Sequence, residues 1–183
     1  MNALEPQMAE SQDGRDWVLE AVRRHERPLL AYVGRLLGNA ERGRDVVQDA
    51  FLQLCKQSRT EVEPKLAPWL FAVCRRRVVD ILRKERRMAP ASAAVMESTA
   101  REPTPAEAAE TRDDTRAALA CLEQLPAQQQ EAVRLKFQQQ FSYREIGEVM
   151  GLSESHVGVL LHQALKTLRH RLAPRAGLAA GGF

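Results

Sequence analysis

The chain is 183 residues long, 44% hydrophobic and 28% charged, a balance typical of a folded globular protein and not of a disordered or membrane-embedded one. That length allows one ordinary domain or two small ones with thin cores, and no apolar run reaches the ~20 residues of a bilayer span. The formal charge of +3 is too mild to argue for nucleic acid by itself, so the distribution of charge carries that question.

Residues 1–14 are polar and lack the basic-then-apolar order of a secretory signal, which predicts a disordered N-terminus on a cytoplasmic protein. From Trp17 to Arg87 apolar residues recur every three to four positions, the period of helices. The segment Ala40 to Lys56 places Val47, Ala50, Phe51 and Leu54 on one face, a buried stripe. Its opposite face carries Asp45, Asp49, Leu52 and Lys56, with Gln48 at the edge. A leucine exposed among carboxylates fits a partner-docking patch; a single exposed leucine is also ordinary on a monomer.

A second helix is expected from Pro68, suited to a first helical position, to Arg87, with Leu70, Val73, Cys74, Val78 and Ile81 as its core stripe. Arg76, Asp80, Arg83 and Arg87 follow at spacings of four, three and four, so they share one exposed face. Between Arg75 and Arg87 seven basic residues stand against Asp80 and Glu85, and Trp69 and Phe71 lie at the helix start. Two readings remain open: aromatics and arginines that grip separated nucleic-acid strands, or a core tryptophan beside a solvated basic face.

From Met88 to Thr115 the balance reverses, with six acidic residues against Arg101 and Arg112, and Pro90, Pro103 and Pro105 interrupt the pattern. We assign 88–112 to a flexible acidic linker that cannot bury enough surface to fold alone. The chain is thus expected to be all-α, with small helical domains at 15–87 and 113–173 and a flexible, Gly/Ala-rich tail at 174–183. Cys55, Cys74 and Cys121 are odd in number and widely spaced within apolar patterns, which predicts buried free thiols and neither a disulfide framework nor a zinc site.

Ser142 followed three residues later by Glu145 is a capping box, so a helix begins near Tyr143. It ends at Gly151, suited to the left-handed closing conformation, and Ser153 caps a second helix. Ile146, Gly147, Met150, Leu152, Val157 and Leu160 fill the wedge between the two, with Gly147 permitting close approach. This is a helix-turn-helix pattern. The second helix presents Ser153, Glu154, Ser155, His156, Val159, His162, Gln163 and Lys166 to a DNA groove, and Lys166, Arg169 and Arg171 to phosphates. Leu119, Leu122 and Leu125, then a helix from Pro126 to Phe137 with Val133 and Phe137, supply support. His156, His162 and His170, six and eight residues apart, do not converge as metal ligands.

With both blocks in view, the chain resembles the extracytoplasmic-function sigma factors over about Trp17 to Leu172. Leu37-Gly38-Asn39 followed by Asp45-Val46-Val47-Gln48-Asp49-Ala50-Phe51 looks like the family's polymerase-binding helix. Pro68-Trp69-Leu70 and the arginine-rich helix look like its −10 segment, and Leu125-Pro126 with Tyr143 through Arg169 like its −35 segment. The resemblance implies sigma region 2 at 15–87 and region 4 at 113–173, and a monomer within the holoenzyme. It implies that Asp45, Gln48, Asp49 and Leu52 bind the β′ clamp helices of RNA polymerase, with the β flap as a further contact. Trp69, Arg76, Asp80, Arg83 and Arg87 would face −10 DNA, and the loop Gln57 to Ala67 would accept a flipped base. The linker would follow the RNA exit path. No cofactor and no bond chemistry are implied.

Two departures stand out. Where the family has acidic residues before the docking aspartate, this chain reads Glu41-Arg42-Gly43-Arg44, so docking is expected to be conditional, with phosphorylation at Ser58 or Thr60 by a Ser/Thr kinase restoring charge. An anti-sigma protein is the other controller that the resemblance allows. In the recognition helix, positions commonly basic in the family are Gly158 and Leu160, which predicts weak phosphate gripping or an unusual −35 preference. The alternative function is a polymerase-independent helix-turn-helix regulator, which leaves the Asp45 to Leu52 patch unused. An enzyme is not expected, because no phosphate-cradling glycine loop and no nucleophile–base pair are present.

Overall fold

The computed structural model describes the backbone over residues 5–88 and 109–176, and side chains over 16–88 and 116–172. All regular secondary structure among the described residues is helical. The chain divides into two compact units, Met1–Thr99 and Ala100–Phe183.

The first unit opens with helix α1, Glu5–Leu37. The disorder expected over residues 1–14 therefore gives way to helix at Glu5, with Pro6 in the first turn, where a missing N–H costs nothing. Pro28 removes one hydrogen bond from the middle of α1, and burial of Leu29, Tyr32 and Val33 just beyond it carries the helix on. The chain turns at Gly38, and Asn39 Oδ1 then accepts from the Glu41 and Arg42 amides at 3.0 and 3.1 Å to start α2, Ala40–Leu54. Val46, Val47, Ala50, Phe51 and Leu54 of α2 are buried, as the spacing predicts.

Residues 57–67, expected as a loop, instead hold a short helix α3, Arg59–Val62, and a 3-10 turn, Glu63–Lys65, running directly into α4, Leu66–Met88. Helix α4 thus starts two residues earlier than predicted, and Pro68 lies in its first turn, where no intrahelical donor is needed. Leu70, Phe71, Val73, Cys74 and Val78 of α4 are buried, while Ile81 is half-buried. Helices α1, α2 and α4 pack against one another around this core.

The second unit contains α5 (Ala109–Glu123), α6 (Ala127–Gln138), α7 (Tyr143–Met150) and α8 (Glu154–Ala176). Most of the expected acidic linker, 89–108, lies outside the described residues, and its last part belongs to α5. Tail residues 174–176 likewise belong to α8, while 177–183 lie outside the described residues. Ala117, Leu122 and Leu125 join Ala132, Val133 and Leu135 beneath Ile146, Val149, Met150, Val157, Leu160, Leu161 and Ala164.

Two expected supports are not in the core: Leu119 is 42% and Phe137 58% exposed. Phe137 is displaced because the chain turns through Gln140 at φ 59 and brings back Phe141, which is buried, its amide bonded to the Leu135 carbonyl at 3.2 Å. The cysteines are free; Cys74 is buried and Cys121 half-buried, but Cys55 is exposed because α2 ends at Leu54.

Candidate nucleic-acid interface

On α2, Asp45, Gln48 and Leu52 are exposed, Leu52 to 54%. Asp49 is half-buried and lies 3.6 Å from Arg77 Nε of α4. One helical stretch earlier, the Arg42 guanidinium donates to the Glu85 carboxylate of α4. Position 42 meets 85 and 49 meets 77, so α2 and α4 run antiparallel. Both pairs are partly exposed and add little to stability; they mark the register of α2 on α4, which the buried faces of the two helices hold. They also bear on the basic departure: the charge of Arg42 is met by Glu85, and Arg44 remains exposed at the surface.

On α4, Arg76, Asp80, Arg83 and Arg87 are exposed along one face. Trp69, two turns before Arg76, falls on the same face of the helix and is half-buried. Arg77 and Glu85 point to α2 instead. Phe71 does not join the exposed aromatics: it is 1% exposed, its ring centroid 4.9 Å from that of Tyr32. The two aromatics, two residues apart, diverge by about 200° around the helix, and α1 covers the side that holds Phe71. At the near end of α4 the Ser58 and Thr60 hydroxyls lie 2.9 Å apart, both on exposed residues.

The second unit builds its motif from local bonds. Ser142 N–H donates to Glu145 Oε2 at 2.7 Å and Glu145 N–H to Ser142 Oγ at 3.2 Å, completing the capping box. Gly151 closes α7 at φ 68, ψ 38, its amide bonded to the Gly147 carbonyl, and Ser153 Oγ accepts from the His156 amide at 3.3 Å. A Cβ on Gly147 would lie 2.7 Å from the Leu152 carbonyl oxygen, so only glycine lets the turn fold back this tightly.

Ser153 at the cap of α8 and Glu154, Ser155, His156, Val159, His162, Gln163, Lys166 and Arg169 along it are all exposed. At about 100° per residue, Ser155, Val159, His162 and Lys166 fall within about 60° of one another and opposite the buried Val157, Leu161 and Ala164. Gln163 is at one flank, where its Oε1 accepts from Gln129 Nε2 at 3.2 Å. Arg171 turns away from this ridge and donates to Gln124 Oε1 at 3.0 Å, so it ties α8 to the end of α5 and leaves the phosphate-facing set. Among the described residues no group of His, Cys, Asp or Glu is arranged to hold a metal ion.

Sequence patterns missed the partners Arg77 and Glu85; the only clue was that they stand eight residues apart on α4, close to the seven that separate Arg42 from Asp49.

Comparison with known proteins adds a second line of observation. Residues 21–88 match the model of sigma-70 region 2 and residues 115–168 that of sigma-70 region 4. The chain is 31% identical over 154 residues to the RNA polymerase sigma factor CarQ of Myxococcus xanthus, covering 81% of this chain and 85% of that protein. It is 30% identical over 153 residues to the ECF RNA polymerase sigma factor SigL of Mycobacterium tuberculosis, covering 79% and 82%. In fold it is similar to the sigma factor RpoE from Bartonella quintana, solved in complex with the anti-sigma factor NepR, with a TM-score of 0.61 at 23% identity over 88% of this chain and 98% of that one.

Proposed function

The chain belongs to the extracytoplasmic-function sigma factors of the sigma-70 family, non-enzymatic subunits that direct transcription initiation, and from that premise we propose how its two units divide the work. The first unit, taken as residues 15–87, docks on the β′ clamp helices of core RNA polymerase through Asp45, Gln48, Asp49 and Leu52. Its α4 face of Trp69, Arg76, Asp80, Arg83 and Arg87 engages the −10 element and holds the separated strands. The second unit, taken as 113–173, lays α8 in the major groove of the −35 element with Ser153, Glu154, Ser155, His156, Val159, His162, Gln163 and Lys166 forward and Arg169 on phosphate, while the β flap holds the unit on polymerase. A monomer acts within the holoenzyme, in the cytoplasm, where sigma factors meet polymerase and promoter DNA.

The observation that carries this reading is the antiparallel seating of α2 on α4, its register marked by Asp49–Arg77 and Arg42–Glu85. One small unit thereby offers an acidic, leucine-bearing face and a basic, tryptophan-bearing face from adjacent helices, and a polymerase-independent regulator needs only the helix-turn-helix. The direct test is capture of purified core polymerase by the full chain, followed by transcription from a promoter library. Leu52→Asp is expected to abolish capture while leaving the helical circular dichroism unchanged; undiminished capture would remove α2 from the docking role.

Control by phosphorylation extends the same reading. A phosphate on Ser58 or Thr60 adds roughly two negative charges just past the end of α2. Arg44 is ten residues before Leu54, about 15 Å along the helix, so the phosphate acts by adding charge near Leu52 and leaves Arg44 unneutralised. The Ser58→Asp, Thr60→Glu double variant is expected to raise core affinity and promoter output several-fold; output equal to that of the unmodified chain sinks kinase control and leaves control by an anti-sigma protein or by expression level.

A further inference from the structure

We propose that Val159 reads one thymine of the −35 element through the 5-methyl group of the base. The inference rests on the placement of α8 in the major groove and makes it specific. Of the four residues that crown the exposed ridge of α8, Ser155, His162 and Lys166 are polar, and Val159 stands among them 52% exposed. A β-branched residue is a poor helix former, and Val159 is only about half covered in the free protein, so the rest of its apolar surface is available to a partner. Its exposed ridge neighbours Ser155, His162 and Lys166 are polar, which does not make the contiguous apolar surface of a protein interface core. Lys166 and Arg169, two to three turns further along the same side, bring positive charge suited to phosphates. The apolar group that a major groove displays is the thymine methyl.

The local geometry also suits so short a side chain. Valine reaches a base edge only if the helix backbone lies deep in the groove. Gly158 beside it and Ser155 one turn before it are both small. A Cβ at Gly158 would find only the Tyr143 ring, at 3.7 Å, so no long side chain at that position holds the helix away from the floor.

The test uses holoenzyme reconstituted from the full chain and core polymerase. The preferred −35 sequence is first selected from a randomised duplex library, and each thymine in it is then replaced singly by deoxyuridine, which pairs identically and lacks only the methyl group. Wild type is expected to lose about fivefold in affinity at one position, the scale of burying one methyl group. Val159→Ala is expected to bind the unmodified site about fivefold more weakly and to be indifferent to deoxyuridine there, with an unchanged salt slope because no phosphate contact is lost. Lys166→Gln is expected to lower the salt slope by about one and to keep the deoxyuridine penalty. A −35 preference with no methyl-sensitive position, or a penalty that persists in Val159→Ala, overturns the Val159 contact alone. A selection that returns no −35 preference overturns the placement of α8, and the contact with it.

Discussion

Two glycines of the helix-turn-helix should respond to alanine with opposite signs. At Gly147 an added Cβ would sit 2.7 Å from the Leu152 carbonyl oxygen, 3.7 Å from its carbon and 3.8 Å from the Glu154 amide nitrogen. These are backbone atoms, so relief requires moving the turn, which also strains the Leu152 N–H bond to the Gly147 carbonyl, now 3.0 Å. The clash is with backbone at 2.7 Å, which takes the upper part of the overpacking range, about 2–3 kcal/mol; alanine returns about 1 kcal/mol of helix propensity, leaving a net loss of about 1–2 kcal/mol. At Gly158 the nearest atoms to an added Cβ are ring carbons of Tyr143, at 3.7 and 3.9 Å, an ordinary contact. Alanine there should gain about 0.5–1 kcal/mol. For a unit of this size 1 kcal/mol moves the melting temperature by about 4–8 °C, so the two variants should separate by roughly 6 °C or more. Far-UV circular dichroism would follow the transition. Trp17 and Trp69 both lie in the first unit, so tryptophan fluorescence serves as an internal reference that neither substitution should move. A Gly147→Ala chain as stable as Gly158→Ala would refute the close-approach argument.

Gln140 holds a left-handed φ of 59, a conformation that costs a residue with a Cβ about 1–2 kcal/mol. Gln140→Gly should therefore stabilise the second unit by about 0.5–1 kcal/mol after the greater chain entropy of glycine is subtracted; thermal unfolding at a lower temperature than wild type would contradict this. The thiols should also divide cleanly. In the folded chain iodoacetamide should modify exposed Cys55 and spare Cys74, whose burial pushes its pKa up to about 12 from 9.0. Because folding favours the neutral Cys74 thiol, unfolding releases its proton above pH 9.0. Stability should thus be full below that pH and decline from 9.0 toward about 12, by at most about 1.4 kcal/mol per pH unit. Denaturant titrations across that range should show Cys74→Ala losing this part of the slope, and an unchanged slope would count against the buried thiol.

The sequence by itself determined the features whose causes lie within a turn or two of chain. Ser142 and Glu145 satisfy each other's orphan amides, Gly151 takes a backbone conformation closed to most residues, and Ser153 caps the next helix. The helix-turn-helix and its exposed ridge were therefore legible before any packing was known. The stripe of Val47, Ala50, Phe51 and Leu54 likewise oriented α2, and with it Asp45, Gln48 and Leu52. What the tertiary structure decided were choices among locally equivalent arrangements. Trp69 and Phe71 are both aromatic and both at a helix start, and only the position of Tyr32 sends Phe71 inward. Phe137 and Phe141 are both plausible core residues, and the turn at Gln140 chooses Phe141. Arg42 and Arg77 look like surplus positive charge in a linear reading; across 43 and 28 positions of chain they meet Glu85 and Asp49. Caps and turns are satisfied by neighbours in sequence, whereas burial and ion pairing depend on which helix covers which face, and that information exists only once the helices have packed.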